Sequence, residues 1–194
     1  MQLPNKKYNI IYADPAWNFV NWAKDPNVKG NPNKHYKTMS IEDIKKLPVK
    51  EIADDNCILF LWVTDPLLNL QIPVIKSCGF KFRTVGFYWI KKNKSNDNFF
   101  KGMGYWGRSN IEQCLLATKG RIKRIGTNVE KLVVSERREH SRKPDEVPDR
   151  IVSLMGDVPR IELFGRQPRR GWTTWGNEIN KWSTNVLSGS TNTQ

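Results

Sequence analysis

Asn56 to Thr64 reads NCILFLWVT, with Cys57 to Val63 an unbroken apolar row. The row has strand length and no apolar–polar alternation, so a strand here must be buried on both faces. Strands of that kind belong to parallel sheets covered by helices on either side. This one stretch therefore points to an α/β architecture.

The rest of the chain fits around it. Tyr8 to Ala13 reads as another buried strand, ended by Asp14-Pro15 because proline cannot continue a central ladder. Ser40 with Asp43 three residues on predicts a capped short helix through Leu47. Asp65-Pro66 opens a helix over Leu67 to Ser77, which Pro73 weakens. Phe80 to Ile90, Glu112 to Thr118 and Arg160 to Phe164 read as further strands. Pro144 to Met155 shows a helical period at Val147, Ile151, Val152 and Leu154, closed by Gly156. Strands alternating with helices predict an open, doubly wound, mostly parallel sheet. Ligands of such sheets lie beyond the carboxyl ends of the strands, where Asp14 and Gly165 both fall. The expected division is one domain over 1–182 and a flexible tail over 183–194, where the chain turns to Ser, Thr, Asn and Gly.

Several functions are excluded or disfavoured. His35 and His140 are the only histidines and no CxxC pair occurs, so structural zinc is not expected and no metal site is predicted. There is no GxxxxGK[ST] loop, no complete GxGxxG and no GxSxG elbow. No apolar run reaches spanning length and no signal-like segment follows the first lysines. Cys57, Cys78 and Cys114 sit apart among apolar neighbours, as small core residues in a reducing compartment. A cytoplasmic location without membrane contact is the expectation. The formal net charge of +13, from 32 Lys and Arg against 19 Asp and Glu, favours a polyanionic partner such as nucleic acid.

Asp14-Pro15-Ala16-Trp17 has two readings. It can be a rigid turn with tryptophan on the core edge. It can also be a flat slot, in which Asp14 and the Pro15 carbonyl accept from an exocyclic amine while Trp17 stacks on the ring carrying it. The four residues alone leave both open.

Together with its company, this turn resembles the DPPW signature of the MT-A70 family of S-adenosylmethionine-dependent N6-adenine methyltransferases. The resemblance runs from about Tyr8 to Ile179 through YKTMS (36–40), LFLWVTD (59–65), GMGYWGRSNIEQCLLATKG (102–120), SRKPDEV (141–147), IELFGR (161–166) and GWTTWGNEI (171–179). It implies a class I, Rossmann-like methyltransferase fold with permuted motif order, the catalytic turn preceding the glycine-bearing cofactor strand. Asp14, Pro15 and Trp17 match the family's base-binding turn, and Tyr36 matches an aromatic beside the active site. Asp14, Lys143, Phe164, Gly165, Arg166, Asn177 and Glu178 are the implied S-adenosylmethionine contacts. Lys34, Tyr36, Tyr105 and Trp106, from two long loops that mix basic and aromatic residues, are expected substrate contacts, as are Arg108 and Asn110, which precede a strand and are placed to bridge substrate and cofactor. The span Lys119 to Lys143 reads as a phosphate-contacting surface.

Two departures from the family stand out: Ala16 replaces the second proline, and no acid precedes Asp14. The implied reaction is direct in-line transfer to a flipped-out or unpaired adenine. A small prokaryotic or phage-type member acting on DNA rather than RNA is the expectation. The alternative is a non-catalytic nucleic-acid-binding subunit of a methyltransferase complex, and a homodimer is left open.

Overall fold

The computed structural model describes residues 2–18, 38–102, 104, 106–139 and 141–182. Its elements run β1 (Tyr8–Ala13), α1 (Ile41–Lys46), α2 (Val49–Ile52), β2 (Ala53–Val63), α3 (Leu68–Ser77), β3 (Lys81–Lys92), β4 (Ile111–Lys119), β5 (Leu132–Glu136), α4 (Glu146–Met155), β6 (Arg160–Leu163) and β7 (Thr173–Trp175). The strands form one seven-stranded sheet in the order β5-β3-β4-β2-β1-β6-β7. β4 pairs antiparallel with both β2 and β3, and every other pairing is parallel. The mostly parallel sheet expected from the apolar rows is present.

The apolar row Cys57 to Val63 behaves as its pattern requires. Cys57, Leu59, Leu61 and Val63 enter one core with Ile11 and Ala13, closed by Ile44, Val49, Ile52, Val74 and Ile75 of α1, α2 and α3. Ile58, Phe60 and Trp62 enter the opposite core with Ile10 and Tyr12, closed by Val147, Ile151 and Met155 of α4. Helices thus cover both faces, the doubly wound arrangement. Each fully buried aliphatic or aromatic side chain here contributes roughly 1.5–3 kcal/mol.

Local signals set the element ends. The Ser40 hydroxyl accepts the Asp43 N–H at 3.1 Å and starts α1. Asp65–Leu67 forms a 3-10 turn leading into α3, which continues through Pro73. The fully buried Gln71 of α3 ties the helix to the end of β2. It accepts the Thr64 N–H at 2.9 Å and donates to the Thr64 hydroxyl at 3.0 Å. Gly156 stops α4 at φ +89°, a conformation glycine adopts without steric penalty. The three cysteines are free and buried, as expected, and burial pushes the Cys57 thiol up to about 12.

Three elements depart from the sequence reading: α2, β5 and β7. β5 lies inside the Lys119 to Lys143 span that reads as charged surface. Its Val133 is fully buried while Leu132 and Val134 are half exposed, an alternation obscured by the cations around it. That span is therefore partly sheet.

Because β4 alone is reversed, its first residues lie at the edge where β1, β2 and β3 finish. Glu112 pairs in register with Trp89 near the end of β3, and Gln113 with Val63 at the end of β2. The carboxyl edge thereby gains an acidic residue that an all-parallel sheet would place elsewhere.

Candidate active site

Asp14 leaves the end of β1 beside β6, where Ala13 pairs with Leu163. The turn after it is held at several points. The Trp17 N–H donates to the Pro15 carbonyl at 2.8 Å, and the Met39 N–H donates to the Ala16 carbonyl at 2.8 Å. The Trp17 indole N–H donates to the Trp62 carbonyl at 2.9 Å. These bonds stiffen a turn in which Ala16 stands for proline. Trp17 is 5% exposed, so its ring is packed in the core and anchors the turn from below. The stacking plane expected of Trp17 is not presented to the cleft.

Lys143, from the segment before α4, organises the charges. Its ammonium lies 2.7 Å from Asp14 Oδ2 and 3.4 Å from Glu112 Oε2, and 5.4 Å from the centre of the Trp62 ring. Lys91 of β3 meets the other oxygen of Glu112 at 2.6 Å. The result is a chain of alternating charge, Asp14–Lys143–Glu112–Lys91, on three strand ends and one loop. Burial pushes the Asp14 carboxyl above its ordinary range, and Lys143 opposes this without cancelling it. For Glu112 burial also pushes upward, but two ammonium groups outweigh it and hold the carboxyl below its usual range. Glu112 was absent from the expected site. Its only sequence signal was an acid inside an apolar strand, and its partners are distant in the chain.

Asp14 and Lys143 open onto a cleft with about 390 Å³ of empty space, part of it open solvent. Tyr12, Glu162, Phe164, Arg166 and Trp182 also line it. Ser141 and Phe164 both hold left-handed backbone there, at φ 65° and 64°. Such conformations cost non-glycine residues on the order of 1–2 kcal/mol, and they concentrate where a site constrains the chain. Asp145, at the start of α4, takes contacts from Arg138, Arg142, Arg169 and Gln167. Burial works against its charge, yet the guanidinium groups hold its carboxyl down to about 2.

The remaining expected residues divide. Asp14, Lys143, Phe164 and Arg166 share the cleft, and Glu178 pairs with Arg166 at 3.3 Å. Asn177 is exposed and is not among the cleft-lining residues. Gly165 is buried against β7: an added Cβ would stand 2.5 Å from Thr174 Cγ2. The close approach that needs glycine is therefore that of β7. Gly165→Ala is expected to lower stability by about 1–3 kcal/mol, read as the midpoint of urea unfolding. An unchanged midpoint would mean that β7 yields freely. Trp106 and Arg108 are exposed on the connection from β3 to β4, and the Asn110 carbonyl accepts the Lys91 N–H at 2.9 Å. Lys34, Tyr36, Tyr105 and the tail 183–194 lie outside the described residues. No group of three or more potential metal ligands occurs among the described residues.

S-adenosylmethionine carries a sulfonium, an ammonium, a carboxylate, two hydroxyls and a flat purine. The cleft offers matching chemistry in Asp14 and Glu162, Arg142, Lys143 and Arg166, and the rings of Phe164 and Trp182. Glu162 Oε2 is buried 3.5 Å from Arg169 Nε, and burial pushes the Glu162 carboxyl above its ordinary range, with Arg169 in opposition. This carboxylate was not predicted. It lies in the cleft of a chain in which no acid precedes Asp14.

The MT-A70 family pattern matches residues 8–178. The chain belongs to the MT-A70 family. S-adenosylmethionine-dependent transfer to adenine N6 goes with that membership, as does the Rossmann-like mixed sheet with the Asp14 strand first. This MT-A70 chain is 34% identical to the Type II methyltransferase M.MunI of a Mycoplasma species, over 92% of its own length and 80% of that protein. It is 29% identical to an MT-A70-like N(6)-adenosine-methyltransferase of Arabidopsis thaliana, over 89% of its length and 24% of the plant protein. It is also 29% identical to the catalytic subunit of an N(6)-adenosine-methyltransferase of Homo sapiens, over 89% of its length and 28% of the human protein. The chain thus spans about a quarter of the length of these two eukaryotic relatives.

The names of these relatives correct one expectation. Of eight similar proteins, seven are named N(6)-adenosine-methyltransferases, after the ribonucleoside. The preference for DNA over RNA rested on chain size, and size says nothing about the sugar. It is overturned.

Proposed function

We propose that this MT-A70 chain methylates N6 of an unpaired adenosine in RNA, with Asp14 orienting the amine and Lys143 holding Asp14. The observation that carries this reading is the Asp14–Lys143 pair at the mouth of the cleft, 2.7 Å apart at the end of β1. The names of the adenosine methyltransferase relatives support RNA. A prokaryotic-type member is supported by the 80% coverage of the Mycoplasma protein.

An adenine amine is a weak nucleophile because its lone pair is delocalised into the ring. Asp14 accepts one N6–H and favours a pyramidal nitrogen whose lone pair can point at the electrophile. Lys143 engages Oδ2 and leaves the other carboxylate oxygen to face the amine. The cofactor supplies an electrophilic methyl group on a sulfonium. Once methylated, the nitrogen is strongly acidic, and its proton passes to Asp14 or to water. No covalent enzyme intermediate is required, so positioning and electrostatics provide the rate enhancement.

The connection from β3 to β4 is suited to the flanking bases. It is hydrogen-bonded back on itself, Phe100 N–H to the Lys91 carbonyl at 2.8 Å and Gly102 N–H to the Ser109 carbonyl at 2.9 Å. The Arg137 guanidinium lies 3.4 Å from the centre of the Phe100 ring. Trp106 is 93% exposed on this connection and offers a flat face on which a neighbouring base can stack.

The test is incubation with methyl-labelled cofactor and matched single- and double-stranded RNA and DNA oligonucleotides, followed by nucleoside analysis. Label in N6-methyladenosine from single-stranded RNA is the expected result. Absence of label from RNA would overturn the assignment.

A further inference from the structure

We infer that Trp182 is a positioning residue of the cofactor cleft, holding the guanidinium groups of Arg142 and Arg166 in place for an S-adenosyl amino acid. This rests on the proposed cofactor site and adds a residue outside every motif that carries the family resemblance. Trp182 lines the cleft, and its ring centre lies 5.4 Å from the Arg142 guanidinium and 5.3 Å from that of Arg166. Its backbone N–H donates to the Arg166 carbonyl at 3.3 Å.

Two guanidinium groups converge here from different parts of the chain, Arg142 from the approach to α4 and Arg166 from the end of β6. Their side chains are only 16% and 11% exposed, so water screens their mutual repulsion poorly. An aromatic face is attracted to each cation and can bring both to one ring. Carboxylates complete the arrangement: Asp145 and Glu139 bind Arg142, and Glu178 binds Arg166 at 3.3 Å. Glu178 also holds Lys181 at 2.6 Å, beside Trp182 in the chain. The segment from Glu178 to Trp182 is thereby tied to Arg166 at both ends, by the Glu178 carboxylate and by the Trp182 N–H. A ligand bearing a carboxylate and a flat purine would meet two cations whose placement depends on this indole.

The test measures binding of S-adenosylhomocysteine by calorimetry, without turnover, to the full chain and to Trp182→Ala, Trp182→Leu and Trp182→Phe. Trp182 is half-buried at the rim, outside both cores, and melting temperatures check that each variant is folded. Ala and Leu are expected to weaken binding about tenfold, with Phe within about threefold of the parent. Leu keeps bulk without a π face, so Leu binding like the parent would overturn the inference. Tighter binding by Ala would also overturn it, since the ring would then be filling the cleft. If the parent itself fails to bind, the cofactor site falls, and this inference falls with it.

Discussion

Asp14→Asn is expected to reduce single-turnover methyl transfer on the order of a thousandfold while the chain stays folded. The change is isosteric, so the turn and its ties to Met39 and Trp62 are retained. What it loses is the negative charge that pairs with Lys143 and that the proposed mechanism sets against the amine. The pH profile distinguishes this role from a structural one. Burial raises the Asp14 pKa, with Lys143 in partial opposition, so the acid limb of the rate should lie above the ordinary carboxylate range. Activity should rise with pH along that limb as Asp14 ionises. The residual rate of Asp14→Asn should lack the limb. Normal turnover by a folded Asp14→Asn protein would remove Asp14 from the mechanism.

Lys143→Met is expected to produce the second large effect, this time on stability. It takes the cation from between Asp14 and Glu112 and leaves Glu112 with Lys91 alone. Removing one partner of a largely buried ion pair costs about 3–5 kcal/mol, because the remaining charge is desolvated without compensation. Glu112 fixes the sign of the pH dependence. Its folded pKa is held below the unfolded value, so its contribution is present above the unfolded value and lost as pH falls through the folded one. The gap between parent and Lys143→Met should therefore be widest near neutral pH and narrow towards acid. Urea unfolding at neutral pH and at pH below the ordinary glutamate value measures it. A gap that does not change with pH would mean that Lys143 acts through packing alone. Adding Glu112→Gln to Lys143→Met should restore part of the loss, a non-additivity expected of groups in contact.

The central strands were legible because an apolar row is a local signal: Cys57 to Val63 and Tyr8 to Ala13 announce burial without reference to anything else. β7 was not, since three residues between glycines carry too little pattern, and its pairing with β6 is a tertiary fact. The motif residues of the site were legible through family resemblance, and the cleft does bring Asp14, Lys143, Phe164 and Arg166 together. Glu112 and Glu162 were hidden because each reads locally as an ordinary strand residue. Only the reversed β4 and the β1–β6 pairing turn them towards the cleft edge. Trp17 shows the converse limit: a tryptophan after a strand end is legible as important, but composition does not tell a platform from an anchor.

The strand order also has a temporal consequence. β3 and β4 are neighbours in sequence as well as in the sheet, so their pairing closes a short loop and can form early. β1 is made first, yet one of its two partners is β6, whose Arg160 pairs with Ile10 some 150 residues away. Asp14 therefore meets Lys143, and then the wall that β6 supplies, only after well over a hundred further residues have been made. A chain stalled before β6 would carry Asp14 at an open sheet edge. If Asp14 orients the amine as proposed, a nascent chain that ends before β6 is expected to be inactive as a matter of topology.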